Sequence, residues 1–210
     1  MKLEELWRYP VKGMRGERLE RAQLAEDGVP GDRRIRILNG RKRITERTVP
    51  RLLGLQASVG EDGEPTIEGI RWDEPEALAT VRELVGEKAK MRSEDGVDRF
   101  DAAPLHIVTD GAVGALGEDH RRFRPNLVIS GVDGLSERDW IGSRLRIGSA
   151  ELLVREHCDR CKTTTIDPDT FEITPAILTR INEEFDTFMG VYCEVAVPGE
   201  IAVSDTVEVL

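Results

Sequence analysis

The sequence predicts a mixed α+β, strand-rich fold, with a barrel-like β core, a smaller N-terminal β-rich part and a few short helices. Three observations predict it. Apolar runs are short and bounded by Gly, Asp and Pro, as strands are. The pair Asn39-Gly40 sits between two such runs, a hairpin signal. Helical spacing of apolar residues is confined to a few short stretches.

The elements follow in chain order. Arg34 to Thr45 reads as a hairpin with Asn39-Gly40 at the centre of a type I′ turn. A second hairpin is expected around Glu61-Asp62-Gly63. Ala77, Leu78, Val81, Leu84 and Val85 predict a helix, with Asp73 as cap, Pro75 in the first turn and Gly86 at the end. Strands are expected at Leu105–Thr109, Leu127–Ser130, Arg144–Ile147 and Glu151–Arg155. A helix follows from Pro175 to about Glu184, and two last strands flank Pro198-Gly199. No Gly-x-Gly-x-x-Gly follows a strand, so a dinucleotide-binding fold has no support.

Composition narrows the function classes. With 210 residues and 39% hydrophobic content, the chain can bury a full core. A net charge of −10 argues against broad contact with nucleic acid or anionic membranes, although 30 Lys and Arg leave room for local basic pockets. No apolar leader and no 18-residue apolar run is seen, so neither a signal peptide nor a membrane span is expected. Three cysteines do not make a disulfide framework, and a reducing cytoplasmic setting is expected.

Cys158 and Cys161 form a Cys-x-x-Cys. A structural zinc site needs two further ligands, and Cys193, His106, His120 and His157 are not spaced as a partner pair. A redox pair should open a helix, whereas Lys162-Thr163-Thr164-Thr165-Ile166 reads as extended. Buried filler does not suit the polar flanks His157, Asp159, Arg160 and Lys162. Such cations favour a thiolate, the form that binds metals and attacks electrophiles. Local chemistry thus favours a working thiol without separating Cys161 from Cys158. Lys12, Arg33, Arg124 and Asn126 lie at strand ends, where each alone reads as a solvated surface group.

Several ordered motifs together resemble the MOSC family, the domain related to the C-terminus of molybdenum-cofactor sulfurase, and its amidoxime-reducing branch in particular. Leu6 to Met14 resembles the opening of the family's N-terminal β-barrel part, and Gly31-Asp32-Arg33, Thr45-Glu46-Arg47 and Pro50-Arg51-Leu52 continue it. Phe123 to Gly131 and Trp140-Ile141-Gly142 resemble the start of the MOSC core, and Cys158 to Thr170 is the most specific piece. Phe188 to Tyr192 and Pro198 to Ile201 resemble its close. The resemblance implies an N-terminal region over 1–93, a MOSC domain over 94–210 and one continuous globule.

It also implies a molybdenum cofactor, Mo-molybdopterin, with Cys161 as the protein ligand to the metal. Lys12, Gly13, Arg33, Arg124, Asn126, Asp159, Arg160 and Tyr192 correspond to the family's cofactor-binding positions. Fixed cations suit a pterin phosphate, and a soft thiolate suits a high-valent metal. Gly13 stands where the family often has Ser, and Ala102-Ala103 replaces a polar pair, leaving Asp101 as the polar catalytic candidate. The implied reaction is reduction of small N-hydroxylated compounds of amidoxime or hydroxylamine type. Three cysteines cannot build a four-cysteine iron–sulfur cluster, so a separate ferredoxin, flavodoxin-like or cytochrome donor is expected. The rival expectation is a sulfur carrier, with a persulfide on Cys161 and Cys158 as resolving thiol, or a protein that passes on molybdenum cofactor.

Overall fold

The computed structural model describes residues 1–96 and 99–210. The first part holds β1 (Lys2–Arg8), β2 (Glu17–Leu19), β3 (Arg21–Leu24), β4 (Ile35–Asn39), β5 (Lys42–Ile44), β6 (Ala57–Val59), β7 (Pro65–Ile67), β8 (Ile70–Arg71), α1 (Pro75–Val85) and β9 (Ala89–Ser93). The second holds β10 (Leu105–Thr109), α2 (Asp110–Leu116), β11 (Leu127–Ser130), β12 (Arg144–Ile147), β13 (Ala150–Asp159), α3 (Pro175–Glu184), β14 (Phe188–Val197), β15 (Gly199–Ala202) and β16 (Val207–Val209). No described helix is long and apolar enough to cross a membrane.

Eight strands make one curled, half-barrel sheet in the order β16-β12-β13-β14-β10-β11-β1-β2. The pair β10–β11 is parallel, and α2 lies in the crossover that such a pair requires. Alternation sets the two faces. Leu105, Ile107, Leu127 and Ile129 point into one core with Leu3, Leu6, Leu145 and Ile147. Val108 and Val128 point the other way, onto Ala112 and Leu116 of α2 and Ile177 and Ile181 of α3. That is why β10 is buried along its whole length, while β12 alternates exposed Arg with buried Leu145 and Ile147.

A third core belongs to the first part. Val11, Met14, Ile35, Ile37, Leu52, Ala57, Ile67, Ala77 and Val81 pack together. They come from two three-stranded sheets, β5-β4-β9 and β6-β7-β8, from α1, from the turn after β1 and from the 3-10 turn Pro50–Gly54. Yet β1 pairs with β11, and β3 pairs with β15, so strands of the first part complete sheets of the second.

The strand-rich α+β expectation agrees with this architecture, and three local details differ. Asn39 pairs with Lys42, so the first hairpin turns on Gly40-Arg41 rather than Asn39-Gly40. Gly40 has φ 63°, and Arg41 is not left-handed, which is the type II′ pattern with Gly first. Glu74, not Asp73, stands at the start of α1, because the Asp73 carboxylate is taken by Arg71 at 2.8 Å. Lys162–Thr165 is a single 3-10 turn rather than extended chain, with the Thr164 and Thr165 hydroxyls each bonding the carbonyl three residues back.

Candidate functional site

The site grows from the turn after β1. The Tyr9 N–H donates to Asp32 Oδ1 at 2.7 Å, the Arg33 N–H to the Tyr9 carbonyl at 2.7 Å, and the Lys12 N–H to the Ile35 carbonyl at 2.8 Å. These bonds tie the turn to the segment entering β4, so Lys12 and Arg33 reach one cavity. Gly13 has φ 91°, and a Cβ there would lie 2.9 Å from Thr45 Cα and 3.0 Å from the Glu46 nitrogen. A glycine is required for that close approach. It brings Thr45, Glu46 and Arg47 to the same cavity.

Asp32 is fully buried and anchors one wall. It accepts from the Tyr9 N–H, from Arg33 Nη1 and from Asn126 Nδ2 at 3.1 Å. Asn126 Oδ1 in turn accepts from Arg33 Nη1 and from the His106 N–H, both at 3.2 Å. Burial opposes the charge on Arg33, but Asp32 outweighs it and holds the guanidinium above its ordinary pKa. Burial pushes the Tyr9 phenol up, against the pull of Arg124 and Arg33. Both guanidiniums stack on the Tyr9 ring, at 5.1 Å for Arg33 and 4.3 Å for Arg124. Arg33 and Arg124 are both left-handed, φ 51° and 53°, a strained conformation that collects at functional sites. Among the described residues, the Arg124 guanidinium has no hydrogen bond or ion pair.

The other wall comes from the end of β13 and the turn after it. Cys158 is fully buried, whereas Cys161 is exposed and lines the cavity. Burial pushes the Cys158 thiol up, more than Arg160 pulls it down. Arg160 donates from Nη1 to Cys158 Sγ at 2.7 Å and from Nη2 to the Phe123 carbonyl at 3.0 Å. Its Nη1 also lies 3.3 Å from His106 Nε2. The same Nε2 lies 3.4 Å from the Met189 carbonyl, so it stands between a donor and an acceptor. Burial, then Arg160 and Arg33, hold His106 well below the ordinary histidine range. Cys161 Sγ donates to Thr163 Oγ1 at 3.6 Å, and the Thr163 hydroxyl donates to Glu46 Oε1 at 2.8 Å. Tyr192, on β14, has its phenol pushed up by burial.

Lys12, Gly13, Arg33, Asp101, Arg124, Asn126, Asp159, Arg160, Cys161 and Tyr192 therefore line one cavity. Lys12 Nζ donates to Asp101 at 2.6 Å. Desolvation opposes ionisation of Asp101, but that bond and the charges of Lys12, Arg47 and Arg33 hold its carboxyl below the usual range. His157 lies outside the cavity, with Nε2 on the Arg138 carbonyl at 3.0 Å and its ring against Phe188. Cys193 is buried in the main core, where desolvation pushes its thiol up. Glu46, His106 and Thr163 were not singled out as site residues from the sequence. Glu46 did carry a signal, as part of the Thr45-Glu46-Arg47 motif, but its partner Thr163 is far along the chain.

The donor set suits an anionic, metal-bearing cofactor. Cations gather on the cavity, and Arg160 Nε is buried without a partner. No cluster of three or more His, Cys, Asp or Glu side chains able to hold a metal is found among the described residues. A metal at Cys161 must then bring most of its donors with it, as a dithiolene cofactor does.

Comparison with known proteins agrees. The family model described as MOSC domain matches residues 102–208, and that described as MOSC N-terminal beta barrel domain matches 1–104. Mitochondrial amidoxime-reducing component 1 of Mus musculus is 37% identical over 89 residues, covering 40% of this chain and 26% of that protein. Mitochondrial amidoxime reducing component 2 of Macaca fascicularis is 40% identical over 76 residues, 33% of this chain and 22% of that protein. The molybdenum cofactor sulfurase of Caenorhabditis elegans is 23% identical over 232 residues, 89% of this chain and 32% of that protein. The matches thus span about a quarter to a third of these relatives. The crystal structure of the YUAD protein from Bacillus subtilis superposes with a TM-score of 0.54 at 16% identity, covering 99% of this chain and 94% of that one, a likeness of fold.

Proposed function

The chain belongs to the MOSC family, and from that premise we propose that it binds a molybdenum cofactor in the cleft at Cys161 and reduces small N-hydroxylated compounds. The observation that supports this best is an exposed thiol on the same cavity as Lys12, Arg33, Arg124 and Arg160. In this reading Cys161 holds the metal as a thiolate. Lys12, Arg33, Arg124, Arg160 and Asn126 hold the anionic and polar edges of the cofactor, with Gly13, Asp159 and Tyr192 shaping its bed. The bound cofactor supplies two-electron chemistry at an N–O bond: the N–OH compound, two electrons and two protons give the N–H compound and water. Asp101 is proposed as the pocket carboxylate that steers Lys12. Held ionised by its neighbours, it offers hydrogen-bond acceptors and has no proton to supply.

The electrons come from a separate ferredoxin, flavodoxin-like or cytochrome partner. The proposed setting is cytoplasmic, with no part for nucleic acid or a membrane. The amidoxime-reducing relatives are the basis for substrate class and partner alike. The sulfur-carrier reading asks Cys158 to resolve a persulfide, and a fully buried thiol with a raised pKa is a poor nucleophile for that.

The test is metal and pterin analysis of the purified protein, then amidoxime reduction with an artificial electron donor. Stoichiometric Mo, lost in Cys161→Ala and kept in Cys158→Ala, is the expected result. A metal-free protein that accepts sulfur from a desulfurase would overturn it.

A further inference from the structure

Glu46 is a buried carboxylate, 6% exposed, on the same cavity as Cys161. The carboxylates Asp32 and Asp101 each have a cation, Arg33 and Lys12. Among the described residues Glu46 has none within ion-pair distance. A buried carboxylate without a cation is costly to keep, and such groups persist where a ligand completes them.

Its geometry shows which part is free. Oε1 takes the Thr163 hydroxyl at 2.8 Å, and Thr163 is the residue that Cys161 Sγ reaches at 3.6 Å. Oε2 has no hydrogen bond among the described residues. It lies over Gly13, so close that a Cβ on that residue would come within 3.0 Å. Gly13, having no Cβ, is therefore what leaves room for this carboxylate. The side chain is fixed through one oxygen, leaves the other unbonded among the described residues, and lines the cavity that Cys161 also lines.

We propose that Glu46 is the specificity-determining group of the pocket. It selects N-hydroxy compounds that bear a second N–H donor on the same carbon, the N-hydroxyamidines and N-hydroxyguanidines. This rests on reading the pocket as an N-hydroxy reductase site. An amidoxime presents an –NH2 beside its N–OH, and the free oxygen of Glu46 accepts from it. The reduced amidine is a cation with parallel N–H donors, which matches a carboxylate in charge and shape. A ketoxime of the same size has no such N–H and gains nothing from Glu46.

The test uses the Mo-loaded protein and two variants, Glu46→Gln and Glu46→Ala. Glutamine keeps an oxygen for Thr163, removes the charge and puts an NH2 donor where the free acceptor oxygen stood. Two quantities are read: benzamidine binding by titration calorimetry, and the ratio of kcat/KM for benzamidoxime over acetophenone oxime. The expected result is Mo content as in the unaltered protein, with benzamidine affinity and the amidoxime preference each falling about tenfold or more in both variants. Unchanged benzamidine affinity and unchanged preference in Glu46→Gln overturn the proposal while leaving the reductase reading in place. Loss of Mo in Glu46→Gln also overturns it, by making Glu46 part of cofactor retention. If the unaltered, Mo-loaded protein reduces neither compound, the reductase reading fails and the proposal with it.

Discussion

On one wall of the cleft both oxygens of Asp32 are taken, by a backbone N–H, Arg33 and Asn126. On the other, Cys161 is exposed and Glu46 keeps an oxygen unbonded among the described residues. The first wall, apart from the Arg124 guanidinium, spends its polar groups on its own geometry, and it holds two arginines in strained left-handed positions against Tyr9. The second leaves its groups open to whatever enters. The same division runs through the Cys-x-x-Cys itself: Cys158 receives Arg160 and is buried, and Cys161 faces the cavity. A rigid bed and a reactive edge are thus built from separate residues, so each can be altered alone.

Substitutions should separate the two. Asp32→Ala leaves a largely buried Arg33 without its counter-charge and the Tyr9 N–H and Asn126 without their acceptor, and should lower stability by about 2–4 kcal/mol in a denaturant melt. Cys161→Ala should change the same melt by no more than about 0.5 kcal/mol, since an exposed side chain is removed. Comparable losses from both would erase the distinction between the walls. Gly13→Ser should cost about 1–3 kcal/mol, because a side chain must sit at positive φ against Thr45 and Glu46. Cys158→Ala should cost about 1–2 kcal/mol through lost packing and a loosened Arg160.

The smallest effect is expected on Lys12–Asp101, since the Asp101 side chain is 61% exposed. Asp101→Asn should cost less than about 1 kcal/mol. The sign with pH follows from the lowered Asp101 pKa. The contribution is present above the carboxyl's unfolded pKa and is lost as pH falls through the lower folded value. Melts of Asp101→Asn and the unaltered protein should therefore differ at pH 7 and converge in acid.

Much of the fold was legible because strand and helix periods are local. Leu105–Thr109, Leu127–Ser130, Arg144–Ile147 and Pro175–Glu184 stand where the apolar pattern puts them. Turn register was less legible, since Asn-Gly and Gly-Arg centres differ by one residue and pairing across the hairpin chooses between them. The turn at Lys162–Thr165 is hidden for a similar reason: β-branched residues favour strands, yet the Thr164 and Thr165 hydroxyls bond the preceding carbonyls and hold a 3-10 turn. In the cleft, the resemblance nominated residues that do line one cavity. Glu46 was in a quoted motif, but nothing local says that Thr163 reaches it. That contact is made by tertiary packing.

The pairing of β1 with β11, and the presence of Lys12 and Tyr192 on one cavity, also set a timetable. Lys12 leaves the ribosome early and Tyr192 late, so a nascent chain has no complete cleft until most of it has been made. Residues that meet across such long sequence separations fold slowly compared with local ones. If the proposed cofactor binds here, a complete bed for it exists only once both ends of the cleft have been made.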